Sequence, residues 1–343
     1  MTRYFLRRVL LVAPTLFCVI ALNFAVVQFA PGGPVQTLMD QARHAGAPGA
    51  GVYRGAEGLD AAQVAVLDRQ FGFDQPAIVR FGRMLRGYLT FQLGTSIFEG
   101  EPVAALIAQR LPVSLSLGAW STLLVYLIAV PLGVAKAVRN GSRFDAVTSF
   151  LVLGLYAVPG FLLAILLLGL FGAAGVWPAF PLGGLASPGA AGWGWGARVA
   201  DYGWHMVLPA LALTAGGLAT LTMLVKNSVL EEVGKLYVTA ARAKGAGEAR
   251  VLWRHVLPNA LLLVIAGFPA AFTAILFTSA LLVEIVFSLN GLGLLGYEAV
   301  LRRDDPVMFG TLYVYTLTGL AMQIVGDFLY TVLDPRIDFE PRT

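Results

Sequence analysis

Leu111-Pro-Val-Ser-Leu-Ser-Leu-Gly-Ala-Trp120-Ser-Thr-Leu-Leu-Val-Tyr-Leu-Ile-Ala-Val130-Pro-Leu-Gly-Val-Ala135 is a run of 25 residues without one Asp, Glu, Lys or Arg. A bilayer core of ~30 Å takes about 20 apolar residues per helical crossing, so this run is long enough to span one. Four further stretches are equally free of charge: 146–197, 202–225, 255–283 and 306–326. Charged residues make up 13% of the 343, and mean hydropathy is +0.75. Soluble domains carry roughly 25% charged residues, so water could not solvate several such stretches in one chain. That excludes an ordinary cytosolic enzyme, a disordered protein and a small disulfide scaffold. The chain reads as an all-α polytopic membrane protein.

The first apolar run, Val9 to Phe29, follows Arg3, Arg7 and Arg8. It exceeds the ~7–15 residues of a signal-peptide core, and Pro31-Gly-Gly-Pro34 is a helix stop rather than a small-residue cleavage site, so a retained helix is expected. The other spans are expected at about 112–137, 147–172, 205–225, 259–287 and 309–332, six in all. Pro178, Pro181, Pro188 and the glycines up to Gly196 break the second half of the 146–197 run, which therefore counts as one span.

Lys and Arg in the short flanks set the orientation. With the N-terminus inside, Arg3, Arg7, Arg8, Lys136, Arg139, Arg143, Lys226, Lys235, Arg242, Lys244, Arg250 and Arg254 are cytoplasmic, and the short outer loops hold only Arg198, Arg302 and Arg303. The long segment 31–110 carries mixed charges, and segments longer than ~60 residues translocate largely regardless of charge. This distribution accounts for the net charge of +4 without a nucleic-acid partner. The chain then divides into a transmembrane helix (1–30), a periplasmic insertion (31–110), a transmembrane domain (111–335) with a cytoplasmic loop at 226–258, and a cytoplasmic tail (336–343). Within the insertion, Ala61–Phe71 and the set Ile78, Phe81, Met84, Leu85 and Tyr88 have helical spacing.

The 226–258 loop reads Tyr237-Val-Thr239-Ala240-Ala241-Arg242-Ala-Lys244-Gly245, then nine residues, then His255-Val-Leu257-Pro258. A short helix, a glycine turn and a second short helix are expected, with Gly245 at positive φ and Pro258 opening the next span. Small side chains at Ala240 and Ala241 let another surface approach closely, and Arg242, Lys244, Arg250 and Arg254 offer charge to a polar partner. On chemistry alone, a positive loop lying near lipid headgroups fits equally well.

The spacing Ala240-Ala241-x3-Gly245-x9-His255-x-Leu257-Pro258 resembles the EAA loop of binding-protein-dependent ABC importer permeases, EAA-x3-G-x9-I-x-LP. Thr239 stands in place of the Glu and His255 in place of the Ile. The likeness covers nearly the whole chain. Arg7-Arg8 to Pro14-Thr15, Ala30 to Pro34, Leu93-Gly-Thr-Ser96, Arg110-Leu-Pro112, Pro131-Leu-Gly133, Gly141-Ser142, Leu208-Pro-Ala210 and Asp334-Pro-Arg-Ile337 look like dipeptide and oligopeptide permeases of the DppB/OppB type. Lys226-Asn-Ser228, Ser288 to Glu298 and Asp334 to Glu340 are most similar to their YejB branch.

The resemblance implies a six-helix type I (MetI-like) permease with an N-terminal periplasmic insertion, in the inner membrane with both termini cytoplasmic. It implies half of an import path for peptides or peptide-like compounds, microcin C among them. The implied partners are a second homologous permease in a heterodimer, a periplasmic peptide-binding protein, and a cytoplasmic ABC ATPase, fused into one chain in the YejB branch. It also implies that the 237–258 loop docks in the ATPase groove, with Ala240 and Ala241 facing it. No catalytic residue, metal or cofactor is expected in this chain. ATP and Mg belong to the ATPase, and no GxxxxGK[ST] occurs here.

Glu284, followed by Asn290, Gly291 and Gly293, lies roughly 36 Å along the fifth span at ~1.5 Å per residue, near headgroup level. Anchoring and lining of a gate or path are both open for it. Asp327 is expected to pair or to snorkel, His205 to cap the fourth span at the interface, and Asn23 and Gln28 to bond between helices. A proton-coupled transporter would need mid-membrane carboxylates that spans two to four lack, and a membrane hydrolase would need a nucleophile or metal pattern that the sequence lacks. Asp60→Cys on a Cys18→Ser background should react with an impermeant thiol reagent from the periplasmic side; reaction only from the cytoplasmic side would reverse the topology.

Overall fold

The computed structural model describes residues 2–29, 75–275 and 280–333. The expected helix at 61–71, the Ala30–Pro34 stretch and the tail 336–343 lie outside them. The elements are helical: α1 Thr2–Phe29, α2 Ala77–Tyr88, α3 Val103–Val138, α4 Arg143–Ala157 and α5 Gly160–Phe171. After these come α6 Trp195–Val233, α7 Leu236–Ala243, α8 Glu248–Ala274, α9 Ala280–Val286, α10 Leu292–Arg302 and α11 Asp305–Leu333.

Among the described residues, five helices are long and apolar enough to cross a membrane, or six if α4 and α5 together form one broken span. That pair corrects the single helix expected at 147–172, because the two halves meet at 96°. The cause is Pro159: it offers no N–H and forces Val158 out of the helical region, to φ −86° and ψ 120°. The fourth span begins at Trp195, ten residues before the expected start, so Tyr202 and Trp204 lie within α6. α3 begins at Val103, so the expected end of the insertion at 110 falls inside a continuous helix. At ~1.5 Å per residue α3 and α6 are each well over 50 Å long, far more than a bilayer core requires.

The chain forms two compact units, one made of 1–9, 112–293 and 318–343 and the other of 10–111 and 294–317. In the first, two apolar clusters form along α6. Val125, Ala129, Leu218, Leu221, Val225 and Val229 meet Val238, Val251, Val256 and Leu257 in one of them. Leu117, Ala164, Met206, Leu213, Phe287 and Leu289 build the other. In the second unit, Tyr313 donates to the Tyr88 carbonyl (3.2 Å) and Phe24 lies against Phe81 and Phe309. Ser96, from the Leu93-Gly-Thr-Ser96 stretch, donates to Asp304 (2.5 Å).

α3 meets α6 where Gly133 leaves no room for a side chain. A Cβ there would stand 2.6 Å from Val225 Cβ and 2.8 Å from the Thr222 carbonyl. Close backbone approach through small residues is the usual substitute for hydrophobic drive between helices in lipid. Gly133→Val should lower the thermal unfolding midpoint of the detergent-solubilised chain, since overpacking of this kind costs about 1–3 kcal/mol. Gly154→Val, where a Cβ meets nothing within 4 Å, is the matched control and should unfold like wild type.

Candidate functional site

After α6 ends at Val233, α7 lies across the end of the bundle and Gly245 (φ +83°) turns the chain into α8. Only a residue without a Cβ adopts that φ at no cost. Val238 is fully buried and Ala241 half-buried against the core formed by Val251, Val256 and Leu257. The other face of α7 presents Thr239, Ala240, Arg242 and Lys244, all exposed. Both Ala240 and Ala241 were expected to face outward; only Ala240 does, because the 100° step between neighbours turns Ala241 into its own bundle.

Tyr237 ties three helices together. Its hydroxyl lies within hydrogen-bond reach of Glu232 Oε2 on α6 and of the His255 carbonyl (3.1 Å), and accepts from Asn259 Nδ2 (3.0 Å). Partial burial, and then the Glu232 carboxylate, push this phenol above its ordinary range, so it stays a neutral donor. Arg242 closes the glycine turn with a forked bond to Glu248 (2.8 and 3.1 Å), and this bond raises the pKa of the arginine and lowers that of the glutamate. One of the four cations offered to a partner is thus engaged within the loop.

Pro258 stands at the start of the α-helical stretch Leu257–Ala260, where its missing N–H costs little. This stretch follows directly on a π-turn at Leu252–Val256, so that α8 runs on from Glu248 without a loop, and the Leu257 N–H reaches back five residues to Leu252. A proline inside a helix removes a bond to the preceding turn, and a π-turn is one way to absorb the mismatch. His255 is half-buried, Leu257 buried and Pro258 exposed. The outward apolar surface is larger than the motif indicates: Trp253 is 72% exposed and Leu236 88%. The signal available in the sequence was a tryptophan in a basic loop.

Beneath the loop is a charge cluster that the sequence reading missed. Lys136 Nζ, fully buried, lies 3.1 Å from Asp145 Oδ1 and donates to the Asp145 carbonyl, Thr148 and Ser149. Lys226 Nζ meets Asp145 Oδ2 at 2.7 Å, joining α6 to the same carboxylate. Gly141 N–H also donates to Asp145, while Ser142 caps α4 by accepting from the Asp145 N–H. The signal was present, since Asp145 is the only acidic residue between Glu101 and Asp201.

Glu284 is 0% exposed and accepts from Ser114 Oγ (2.8 Å), which in turn accepts from Leu292 N–H (2.8 Å). The chain reverses here through Ser288 at φ +50°, with Leu289 N–H bonded to the Glu284 carbonyl (2.7 Å). A Cβ at Gly291 would fall 2.1 Å from Glu284 Oε1, and Gly293 also packs on this carboxylate. Asn290 alone of the four is exposed. Asp327 forms a two-point ion pair with Arg8 (2.9 and 3.1 Å). His205 does not cap the interface: it is buried in α6, its Nδ1 2.8 Å from the Asp201 carbonyl. Gln28 accepts from Arg80 (2.6 Å) across helices, whereas Asn23 bonds to Val19 of its own helix.

Residues 129–339, which contain the whole loop and its charged support, match the family of binding-protein-dependent transport system inner membrane components. The chain belongs to this family. The permease is similar over its full length, and theirs, to the inner membrane ABC transporter permease protein YejB of Escherichia coli O157:H7 (51% identity). It is likewise similar to the peptidoglycan transport system permease protein YejB of Agrobacterium fabrum (45%, full length of both). A solved inward-facing MetNI methionine ABC transporter shares the fold, with TM-score 0.53 at 19% identity over 67% of this chain and 97% of that one. The permease is thus a multi-pass inner-membrane transporter component that works with a binding protein and an ATPase, with the type I, MetI-like fold.

Removing one member of a buried charge cluster leaves the others uncompensated. Asp145→Ala should therefore lower membrane accumulation and thermal stability of the permease, and adding Lys136→Met should recover part of the loss. Strictly additive effects in that double-mutant cycle would show that the two side chains do not interact.

Proposed function

We propose that this permease forms half of the path by which an ATP-driven importer carries peptides across the inner membrane. The second half is a homologous permease, and a periplasmic binding protein delivers the cargo. Peptide-like compounds such as microcin C and cell-wall peptides belong to the same cargo class; the Agrobacterium fabrum relative is named for peptidoglycan transport. Both termini are cytoplasmic in this reading. ATP and Mg are held by the ATPase, in one fused chain, so this subunit needs no cofactor of its own.

The observation that carries the reading is the build of the 226–258 loop. A basic inner loop of a membrane protein has no use for an outward Trp253 and Leu236 unless another surface covers them, and buried aromatic anchors contribute most in such interfaces. The loop is also rigid: Val238 is buried, Tyr237 staples α6, α7 and α8, and Arg242 closes the turn. A rigid, apolar-tipped element transmits rigid-body motion in both directions. Of the possible gate or path residues, Asn290 fits lining, while Glu284, Gly291 and Gly293 fit the closed turn that holds it.

The test is ATPase co-purification alongside peptide uptake. Trp253→Ala and Ala240→Glu should leave the permease in the membrane yet cut ATPase retention by about tenfold or more, as expected for central contact residues. Gly245→Val, strained at positive φ, should do the same, with Arg139→Ala in another inner loop as the control. Wild-type retention and uptake in all three loop variants would remove the docking role from residues 237–258.

A further inference from the structure

We propose that the second unit holds a binding site for one phospholipid with an amine-bearing headgroup, of the phosphatidylethanolamine class. An open cavity of about 370 Å³ lies between the end of α1, α2 and the start of α11. Its lining combines apolar side chains, Phe24, Met84 and Phe309 among them, with Arg80, Arg83 and Asp305. Arg80 is oriented by Gln28, to which it donates at 2.6 Å, and Arg83 donates to Gln75. Asp305 Oδ1 is buried and has no hydrogen-bond partner among the described residues. A buried carboxylate oxygen left in this state is costly unless a donor reaches it.

The chemistry selects a zwitterion that presents a phosphate-like anion and an N–H-bearing cation. Guanidiniums bind phosphodiester oxygens through paired, charge-assisted bonds, and a primary ammonium supplies the donor that Asp305 lacks. The position selects a lipid. Phe24 lies in the last turns of α1, the end away from Arg7 and Arg8, where an apolar helix leaves the bilayer core. Around it, Val26 and Phe29 of α1 and Ile78 and Val79 of α2 are exposed, an apolar rim that acyl chains would cover. α2 is amphipathic, with Arg83 and Arg86 exposed on the same face as Val79, as expected of a helix lying in the headgroup layer. A peptide arriving from water would meet the same charges but would leave that rim uncovered.

Native mass spectrometry of the purified full-length permease, titrated with palmitoyl-oleoyl phosphatidylethanolamine, phosphatidylglycerol or trialanine, tests the site. Wild type should retain one phosphatidylethanolamine about tenfold more tightly than phosphatidylglycerol, which has the phosphate but no ammonium. Asp305→Asn should abolish that preference, and the Arg80→Gln, Arg83→Gln pair should weaken both lipids. Met84→Trp, which fills the cavity without changing a charge, should exclude lipid and carries the test if a charge variant fails to insert. Equal binding of the two lipids by wild type, or retention unchanged in every inserted variant, would overturn the proposal. So would displacement of the lipid by trialanine, which would make the cavity a peptide subsite.

Discussion

One carboxylate holds one end of the bundle together. Asp145 receives Lys136 from α3 and Lys226 from α6 while it shapes the first turn of α4. Charges this far from water are tolerated only when paired and hydrogen-bonded, and here each of the three has its partners. Because the two lysines come from different helices, α3, α4 and α6 cannot shift independently at this level without separating charge. The loop that follows α6 therefore stands on a support that moves as one piece.

That rigidity gives the loop its mechanical value. In the proposed docking role, a loop that bent under load would dissipate the motion of its partner, whereas α7 is pinned by Val238 beneath, Tyr237 at one end and the Arg242–Glu248 pair at the other. The exposed ion pair adds little stability by itself. Its effect is to fix the geometry of a turn that Gly245 makes possible. The π-turn before Pro258 serves the same end from the other side, since the first turn of α8 after Gly245 continues through it into the rest of the helix with no loop between them.

The Glu284 turn shows a second use of buried charge. Its carboxylate organises a chain reversal through Ser114 and the absent side chain of Gly291, and so positions Asn290 at the surface. Burial, and not exposure, is what this glutamate contributes. From the sequence, depth along the helix was visible, but whether the carboxylate faced a path or a packed turn was not, because Ser114 lies 170 residues away.

Periodicity and charge spacing were enough to determine that the chain spans a membrane and where most spans lie, because a bilayer excludes unpaired charge and demands helices of a set length. The same local rules placed the glycine turn at 245, the short helix α7 before it and the amphipathic helix at 77–88. The pairing of Asp327 was also foreseeable, since a charge near the membrane needs a partner. Tertiary structure alone decided the rest. Pro159 breaks the helix locally, but that both halves, α4 and α5, then pack on α6 is not legible in it. Ala240 and Ala241, alike in sequence, part company once α7 has a core on one side. Asn23 turned back on its own helix, and Asp145 found two lysines 9 and 81 residues away. Local sequence constrains backbone conformation and depth in the bilayer; which side chains meet is a property of how the helices are packed, and no single helix carries that information.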